Sequence, residues 1–305
     1  MNKGRGFQNG WWLVVITIGV MFASGASSIF TNSQSLETLY MILGELVLIV
    51  PIIIGFFMIN NEKPNDGISE AIGLRSFSPV LLPFILLLPI AAQSFAGFIA
   101  MPIQSVLTLL LGTPDYTFIG GAADFWQNFV ILCVLAPIFE ELLCRGVLMV
   151  LFRRYGTARM LVWSSLAFAM LHLGAESIIS LFLLGLLLGV IRITTGSVIA
   201  AMAAHSASNL YSLIMLSTPE MSPAMQMIFV LVTAAAFPLL LRLYLRRADS
   251  SGVWKNTVYD GNAKTGFSSG LAVMTAIFVI YNLGVFVSRL IGGDIFYDIN
   301  SMLLY

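Results

Sequence analysis

The chain has 305 residues, of which 58% are hydrophobic and only 10% are charged, and its formal net charge is zero. This composition is too apolar for an ordinary water-soluble protein, and no long run of lysine or arginine suggests nucleic-acid binding. We therefore predict an all-α fold, a polytopic transmembrane helical bundle that forms a single integral membrane domain over residues 1–305.

Apolar segments that approach the roughly 20 residues of a membrane span recur along the chain, and we expect about eight or nine spans. The first segment follows a short basic start and continues to about residue 30, so we expect an uncleaved signal anchor. The third and fourth segments are long enough to be tilted or broken. The predicted segments are 11–30, 37–59, 79–111, 124–152, 159–173, 176–192, 197–216, 223–245 and 268–291.

The loops between these segments differ in charge. One set holds nearly all of the lysines and arginines, whereas the opposite set is acidic. Basic residues accumulate on the cytoplasmic side of membrane proteins. We therefore expect an integral protein of the plasma membrane whose N-terminus is cytoplasmic and whose C-terminus is outside.

The fourth segment contains an unusual group of charges, in the stretch APIFEELLCRG at 136–146. A carboxylate near the middle of a span costs about 2.5–3.5 kcal/mol on insertion scales, so a role for Glu140 is expected. Arg145 follows Glu141 by four residues on the same helix face, which predicts an ion pair. Adjacent helical residues point about 100° apart, so Glu140 is left unpaired and facing a cavity.

Two later segments carry the only histidines of the chain, His172 and His205. Phe168 precedes His172 by four residues, and Asn209 follows His205 by four, so each pair shares a helix face. At 1.5 Å per residue, both histidines, Asn209 and Glu140 lie about 12–18 Å below the cytoplasmic surface. Tertiary packing is needed to bring these side chains together, because they come from three helices.

The polar residues form three motifs on successive predicted helices: Glu140-Glu141-x-x-x-Arg145, Phe168-x-x-x-His172 and His205-x-x-x-Asn209. This set resembles the motifs of the CPBP family, the CAAX proteases and bacteriocin-processing enzymes, also called Abi. The motif-bearing core covers about residues 124–216. The stretch AIGLRSF at 71–77 is similar to a Gly-Leu-Arg loop that often precedes that core.

The resemblance implies an intramembrane endopeptidase similar to the type II CAAX prenyl-protein enzymes, acting on a membrane-embedded or lipidated peptide or protein in the bilayer. In such enzymes the residues matching Glu140 and His172 activate a water. Those matching His205 and Asn209 stabilise the oxyanion of the tetrahedral intermediate, and Glu141, Arg145 and Phe168 support them. This is chemically reasonable, because general bases and fixed hydrogen-bond donors act most strongly where bulk water is excluded.

Other chemistries fit the residues less well. No His-Glu-x-x-His sequence is present, so we expect no metal cofactor; zinc bound by Glu140, His172 and His205 is an alternative that we do not prefer. Cys144 as a nucleophile would need a histidine within reach, yet it lies one helical turn beyond Glu140 on the same face.

Two further functional classes remain as alternatives. One is a non-proteolytic membrane scaffold or bacteriocin-immunity protein of the same family, and the intact motifs argue against it. The other is a transporter with a proton relay, which the lack of an obvious internal repeat disfavours. Glu45, in the second segment, is a further intramembrane charge to which the motifs assign no role.

Overall fold

The computed structural model describes residues 5–25, 34–62, 67–111, 122–217, 222–249 and 268–291. Every regular element within these ranges is helical, which confirms the predicted all-α fold. In chain order the helices are α1 (Arg5–Gly25), α2 (Gln34–Leu46), α3 (Ile49–Glu62), the short α4 (Ile68–Ile72), α5 (Leu82–Leu111), α6 (122–152), α7 (Thr157–Leu171), α8 (Ile178–Thr195), α9 (Val198–Ser217), α10 (Pro223–Asp249) and α11 (Ser269–Leu290).

Six stretches within the described residues are long and apolar enough to cross a bilayer, consistent with an integral membrane protein. Two shorter apolar helices, over 9–23 and 157–171, match the first and fifth predicted segments. The total of eight or nine spans stays a prediction. The six stretches are Met41–Asn60, Pro79–Leu111, Ile178–Thr195, Val198–Ser217, Ala224–Ala248 and Ser269–Ser288.

Helix α6 runs continuously but is distorted on both sides of its central segment, Ala136–Glu141. The turns Ile131–Leu135 and Leu142–Leu148 are π-helical, with a wider backbone than an α-helix. Pro137 lacks an N–H and its ring crowds the preceding turn, which explains the first widening. Such wide turns often lie at functional sites, and here they flank the segment that carries the first motif.

Two hydrophobic cores meet near this helix. The first joins α1, α3, α7, α11 and the second half of α6, around side chains such as Trp11 and Phe152. The second joins α5, α8, α9 and α10, around Leu188 and Tyr244. The first half of α6 packs on α9. The motif residues therefore lie where the two groups of helices come together.

Helices α7 and α8 approach each other closely at small residues. A Cβ atom added to Gly185 would lie 3.1 Å from the Cα of Ser165, and one added to Gly189 would lie 2.6 Å from a methyl carbon of Leu161. Glycine at these two positions therefore permits the close packing of α7 and α8.

Candidate active site

The structure brings side chains from all three motifs to one place. Helix α6 supplies Glu140, His172 directly follows the last residue of α7, and α9 supplies His205. The Nε2 atoms of both histidines lie 3.9 Å from Glu140 Oε2, which has no hydrogen-bond partner among the described residues. These separations are too long for direct hydrogen bonds and suit a bridging water.

The hydrogen bonds of the two imidazoles determine which nitrogen of each ring faces Glu140. His172 Nδ1 lies 2.9 Å from the Phe168 carbonyl oxygen, and His205 Nδ1 lies 3.0 Å from Glu141 Oε1. Carbonyl and carboxylate oxygens only accept, so each Nδ1 carries the hydrogen. In the neutral rings, the lone pairs of both Nε2 atoms are therefore available beside Glu140.

Glu141 and Arg145 form a fully buried ion pair in which Arg145 Nη1 donates to Glu141 Oε1 over 2.8 Å. Arg145 Nη2 also donates to the Gly185 carbonyl at 2.9 Å, and its Cζ lies 4.5 Å above the Phe168 ring. The arginine thereby connects α6, α7 and α8. Because Glu141 Oε1 also accepts from His205, this charge pair sets the orientation of an imidazole in the site as well as bracing helices.

Asn209 is held by the distorted part of α6. Its Nδ2 donates to the Leu132 carbonyl over 2.7 Å. In a π-helical turn that carbonyl would accept from the residue five positions later, which is Pro137 and has no N–H. The proline thus frees the acceptor that Asn209 uses, while the second hydrogen of the Asn209 amide remains for another partner.

The ring of Phe168 packs against both histidines. Its centroid lies 4.8 Å from that of His172 and 5.5 Å from that of His205, with interplanar angles of 66° and 80°. Both contacts are edge-to-face, which is a favourable geometry for rings. Phe168 therefore separates the imidazoles from the arginine side chain beneath them and limits their rotation.

A cavity of about 570 Å³ opens beside these residues, and Glu140, His172, His205 and Asn209 all line it. One wall is polar: Gln93 of α5 donates from Nε2 to Ser212 Oγ over 2.6 Å and accepts from Ser208 Oγ over 2.9 Å. The remaining wall is mostly apolar and includes Leu181, Leu184, Leu213, Leu216, Phe229 and Val230.

The predicted Gly-Leu-Arg loop at 71–77 contacts the turn between α8 and α9. Val198 N–H donates to the Gly73 carbonyl over 2.9 Å, and Arg75 Nε donates to the Gly196 carbonyl over 2.8 Å. Ser197 Oγ donates to the Arg75 carbonyl. These bonds hold the start of the helix that carries the third motif.

The histidines and Glu140 are the donor types that zinc prefers, but their spacing does not suit it. Ligands of a tetrahedral zinc with bonds of about 2.0–2.1 Å lie about 3.4 Å apart, whereas the two Glu–His separations are both 3.9 Å. Within the described ranges no three His, Cys, Asp or Glu side chains have the spacing of a metal site.

Comparison with known families identifies this arrangement. Residues 122–211 match the family model described as Type II CAAX prenyl endopeptidase Rce1-like. The motif-bearing core is therefore similar to that of the CAAX protease family. The match confirms the predicted resemblance and includes all three motifs, whereas the catalytic roles of their residues stay predictions. No curated protein and no solved structure matches the chain.

One residue outside the matched CAAX protease core supports it and was not singled out from the sequence. Asn282 of α11 donates from Nδ2 to the Leu173 carbonyl over 2.8 Å and accepts from the Ala175 N–H over 3.1 Å. Leu173 directly follows His172 and has a φ of 57°, which is unfavourable for a non-glycine residue. Asn282 thus stabilises a strained turn beside His172. The available sequence signal was an amide inside an apolar span.

Proposed function

We propose that the chain is an active intramembrane endopeptidase in which Glu140 and His172 activate a water. The observation that supports this most is the convergence of both Nε2 atoms on Glu140 Oε2, at 3.9 Å each, on the wall of the large cavity. A water between Glu140 and His172 would donate one hydrogen to each acceptor. Its oxygen lone pair would then face a peptide carbonyl in the cavity.

The proposed reaction begins when the water oxygen attacks the carbonyl carbon while Glu140 accepts a proton. The negative charge that develops on the carbonyl oxygen is stabilised by the free amide hydrogen of Asn209 and by His205. His205 Nδ1 already donates to Glu141, so the ring donates to the carbonyl oxygen through Nε2 when that nitrogen also carries a hydrogen. Glu140 then returns its proton to the leaving amine as the C–N bond breaks.

The proposed substrate is a membrane-embedded or lipidated peptide segment, as the matched family's description suggests. The cavity favours such an amphipathic ligand, since a wall formed by Gln93, Ser208 and Ser212 faces an apolar one. Their hydroxyl and amide groups suit a peptide backbone, and the leucine-rich side suits a lipid or apolar side chains.

For the membrane orientation, we propose a plasma-membrane protein with a cytoplasmic N-terminus, as the distribution of basic loop residues indicates. Single cysteines introduced into the loop around Gly156 should react with an impermeant thiol reagent only from the cytoplasmic side. Reaction from the outside would contradict this orientation.

The activity can be tested with the purified full-length protein in proteoliposomes. The probes are a quenched-fluorescent peptide with a farnesylated cysteine near its C-terminus and the same peptide without the lipid. We expect Glu140→Gln and His172→Ala to cleave about 100-fold or more slowly, as loss of a general base requires. Glu70→Gln makes the same chemical change at an exposed carboxylate on α4 and should cleave like the wild type.

Three results would contradict parts of the proposal. Full cleavage by Glu140→Gln would contradict the glutamate-activated water. Absence of cleavage of both peptides by the wild type would favour the non-proteolytic scaffold or immunity protein. Loss of activity in a strong chelator, followed by restoration with zinc, would favour the zinc alternative.

A further inference from the structure

A third carboxylate lies close to the candidate active site. Glu45 is in the last turn of α2, within the membrane-crossing stretch Met41–Asn60, and only 2% of its surface is exposed. Its Oε2 is buried and has no hydrogen-bond partner in the part of the chain that the structure describes. A carboxylate in such a position is unfavourable unless it is neutral or bound, so its presence indicates a function.

Glu45 faces Glu140 and His172 across a second, small cavity. This cavity has a volume of about 20 Å³, and its remaining lining is chiefly apolar, including Leu48, Leu143 and Leu171. The volume is enough for about one water molecule, which needs two to four polar partners to be stable. The carboxyl groups of Glu45 and Glu140 supply two.

The electrostatics of this cavity favour a shared proton. Glu45 and Glu140 line the same small cavity, so charges on both carboxylates would repel each other. Arg145, the nearest arginine in α6, is bound to Glu141 and does not line the small cavity. Two buried carboxylates facing each other without a cation are unfavourable, whereas a neutral acid beside a carboxylate forms hydrogen bonds readily.

We propose that Glu45 is a positioning residue of the active site, which as a neutral acid holds one water in the small cavity and through it orients the Glu140 carboxylate. The water accepts the Glu45 O–H and donates to Glu140 Oε2. That oxygen has two acceptor positions, so it binds this water on one side and the hydrolytic water on the other. The proposal rests on the proposed function of Glu140.

The position of Glu45 in the fold agrees with this role. Helix α2 ends one residue later, and a turn at Val47 and Leu48 separates it from α3. The Leu48 N–H donates to the Glu45 carbonyl over 3.1 Å, so the turn itself is anchored at this residue. Glu45 lies outside residues 122–211, the range that matches the CAAX protease family model.

The kinetic test compares Glu45→Gln with Glu45→Leu on the farnesylated peptide. Glutamine keeps the shape and a donor, so kcat should stay within about 3-fold of the wild type. Leucine has no donor and fills the cavity, so kcat should fall about 10- to 100-fold with little change in KM, as expected for a misplaced catalytic group. Ile52→Ala, in the core of the next helix, controls for lost packing and should keep its kcat.

A spectroscopic test does not depend on cleavage. At neutral pH, the infrared spectrum of the full-length wild type should contain the carbonyl stretch of a protonated carboxylic acid. The difference spectrum between the wild type and Glu45→Gln should show that this band is lost in the variant. Absence of such a band would overturn the proposal whether or not the protein cleaves peptides. Full activity in Glu45→Leu, or loss in Glu45→Gln as complete as in Glu140→Gln, would also overturn it.

Discussion

Glu141 Oε1 accepts a hydrogen bond from His205 Nδ1 over 3.0 Å. The opposite nitrogen of the same ring, Nε2, lies 3.9 Å from Glu140 Oε2. The two adjacent glutamates therefore contact one imidazole from different sides, and only Glu141 is neutralised by Arg145. This relationship separates their roles: Glu141 orients the histidine, whereas Glu140 faces the cavities.

The two glutamates should respond differently to the same substitution. Glu141→Gln leaves the fully buried Arg145 without its counter-charge, and breaking such a pair costs about 3–5 kcal/mol. We expect a clear loss of thermal stability. Glu140→Gln removes a carboxylate whose Oε2 has no hydrogen-bond partner within the described ranges, so the stability of this variant should be retained. Thermal unfolding of both variants in one detergent measures this difference, and an equal loss in both would contradict it.

Asn282→Ala should reduce turnover without weakening substrate binding. The amide stabilises the strained turn after His172 but does not line the large cavity, so we expect kcat to fall about 10-fold with KM nearly unchanged. Steady-state kinetics on the farnesylated peptide measures both constants. Thr275→Ala is the control, because its hydroxyl bonds the Leu271 carbonyl of its own helix. Wild-type turnover in Asn282→Ala would contradict the proposed role of Asn282 in stabilising the turn after His172.

Pro137→Ala and Asn209→Ala should be coupled in a double-mutant cycle. Alanine at position 137 restores an N–H that competes for the Leu132 carbonyl, the acceptor of the Asn209 amide. We expect an interaction energy of about 0.5–3 kcal/mol, calculated from kcat/KM of the four proteins. Strict additivity would show that the widened turn does not act through Asn209.

The buried carboxyl of Glu176 should make the stability of the folded protein depend on pH. Burial raises the pKa of its carboxyl, against a smaller opposite effect of its own backbone hydrogen bond. The folded protein then holds a proton that the unfolded chain releases near its ordinary pKa of about 4.3. This stabilisation is complete below that pH and is lost as pH rises through the raised pKa. Glu176→Gln should flatten the dependence of Tm on pH; an unchanged slope would contradict the assignment.

Contacts within one helix could be predicted from the sequence. The spacing of Glu141 and Arg145 indicates a common face, and the structure contains their ion pair. Phe168 and His172 are likewise four residues apart, and their rings are in contact in the structure. Helical periodicity determines which neighbours share a face, so these predictions need no knowledge of other helices.

Contacts between helices could not be predicted in the same way. The roles of Glu45 and Asn282 depend on α2 and α11, which are distant in sequence from the motifs and carry no local pattern for them. Glu141 Oε1 likewise accepts hydrogen bonds from Arg145 of α6 and His205 of α9, so this contact also joins two helices. In a bilayer, apolar faces pack almost equally well in many arrangements, so specific polar contacts decide the geometry.

The sequence by itself determined the membrane environment, the helical segments and the three motifs, because hydropathy and helical spacing are local properties of the chain. Only the tertiary structure decided which ring nitrogens face Glu140, which carbonyl holds Asn209, and that a water-sized cavity separates Glu140 from Glu45. These features arise where helices far apart in sequence meet. Their geometry depends on the packing of the whole bundle rather than on any one segment.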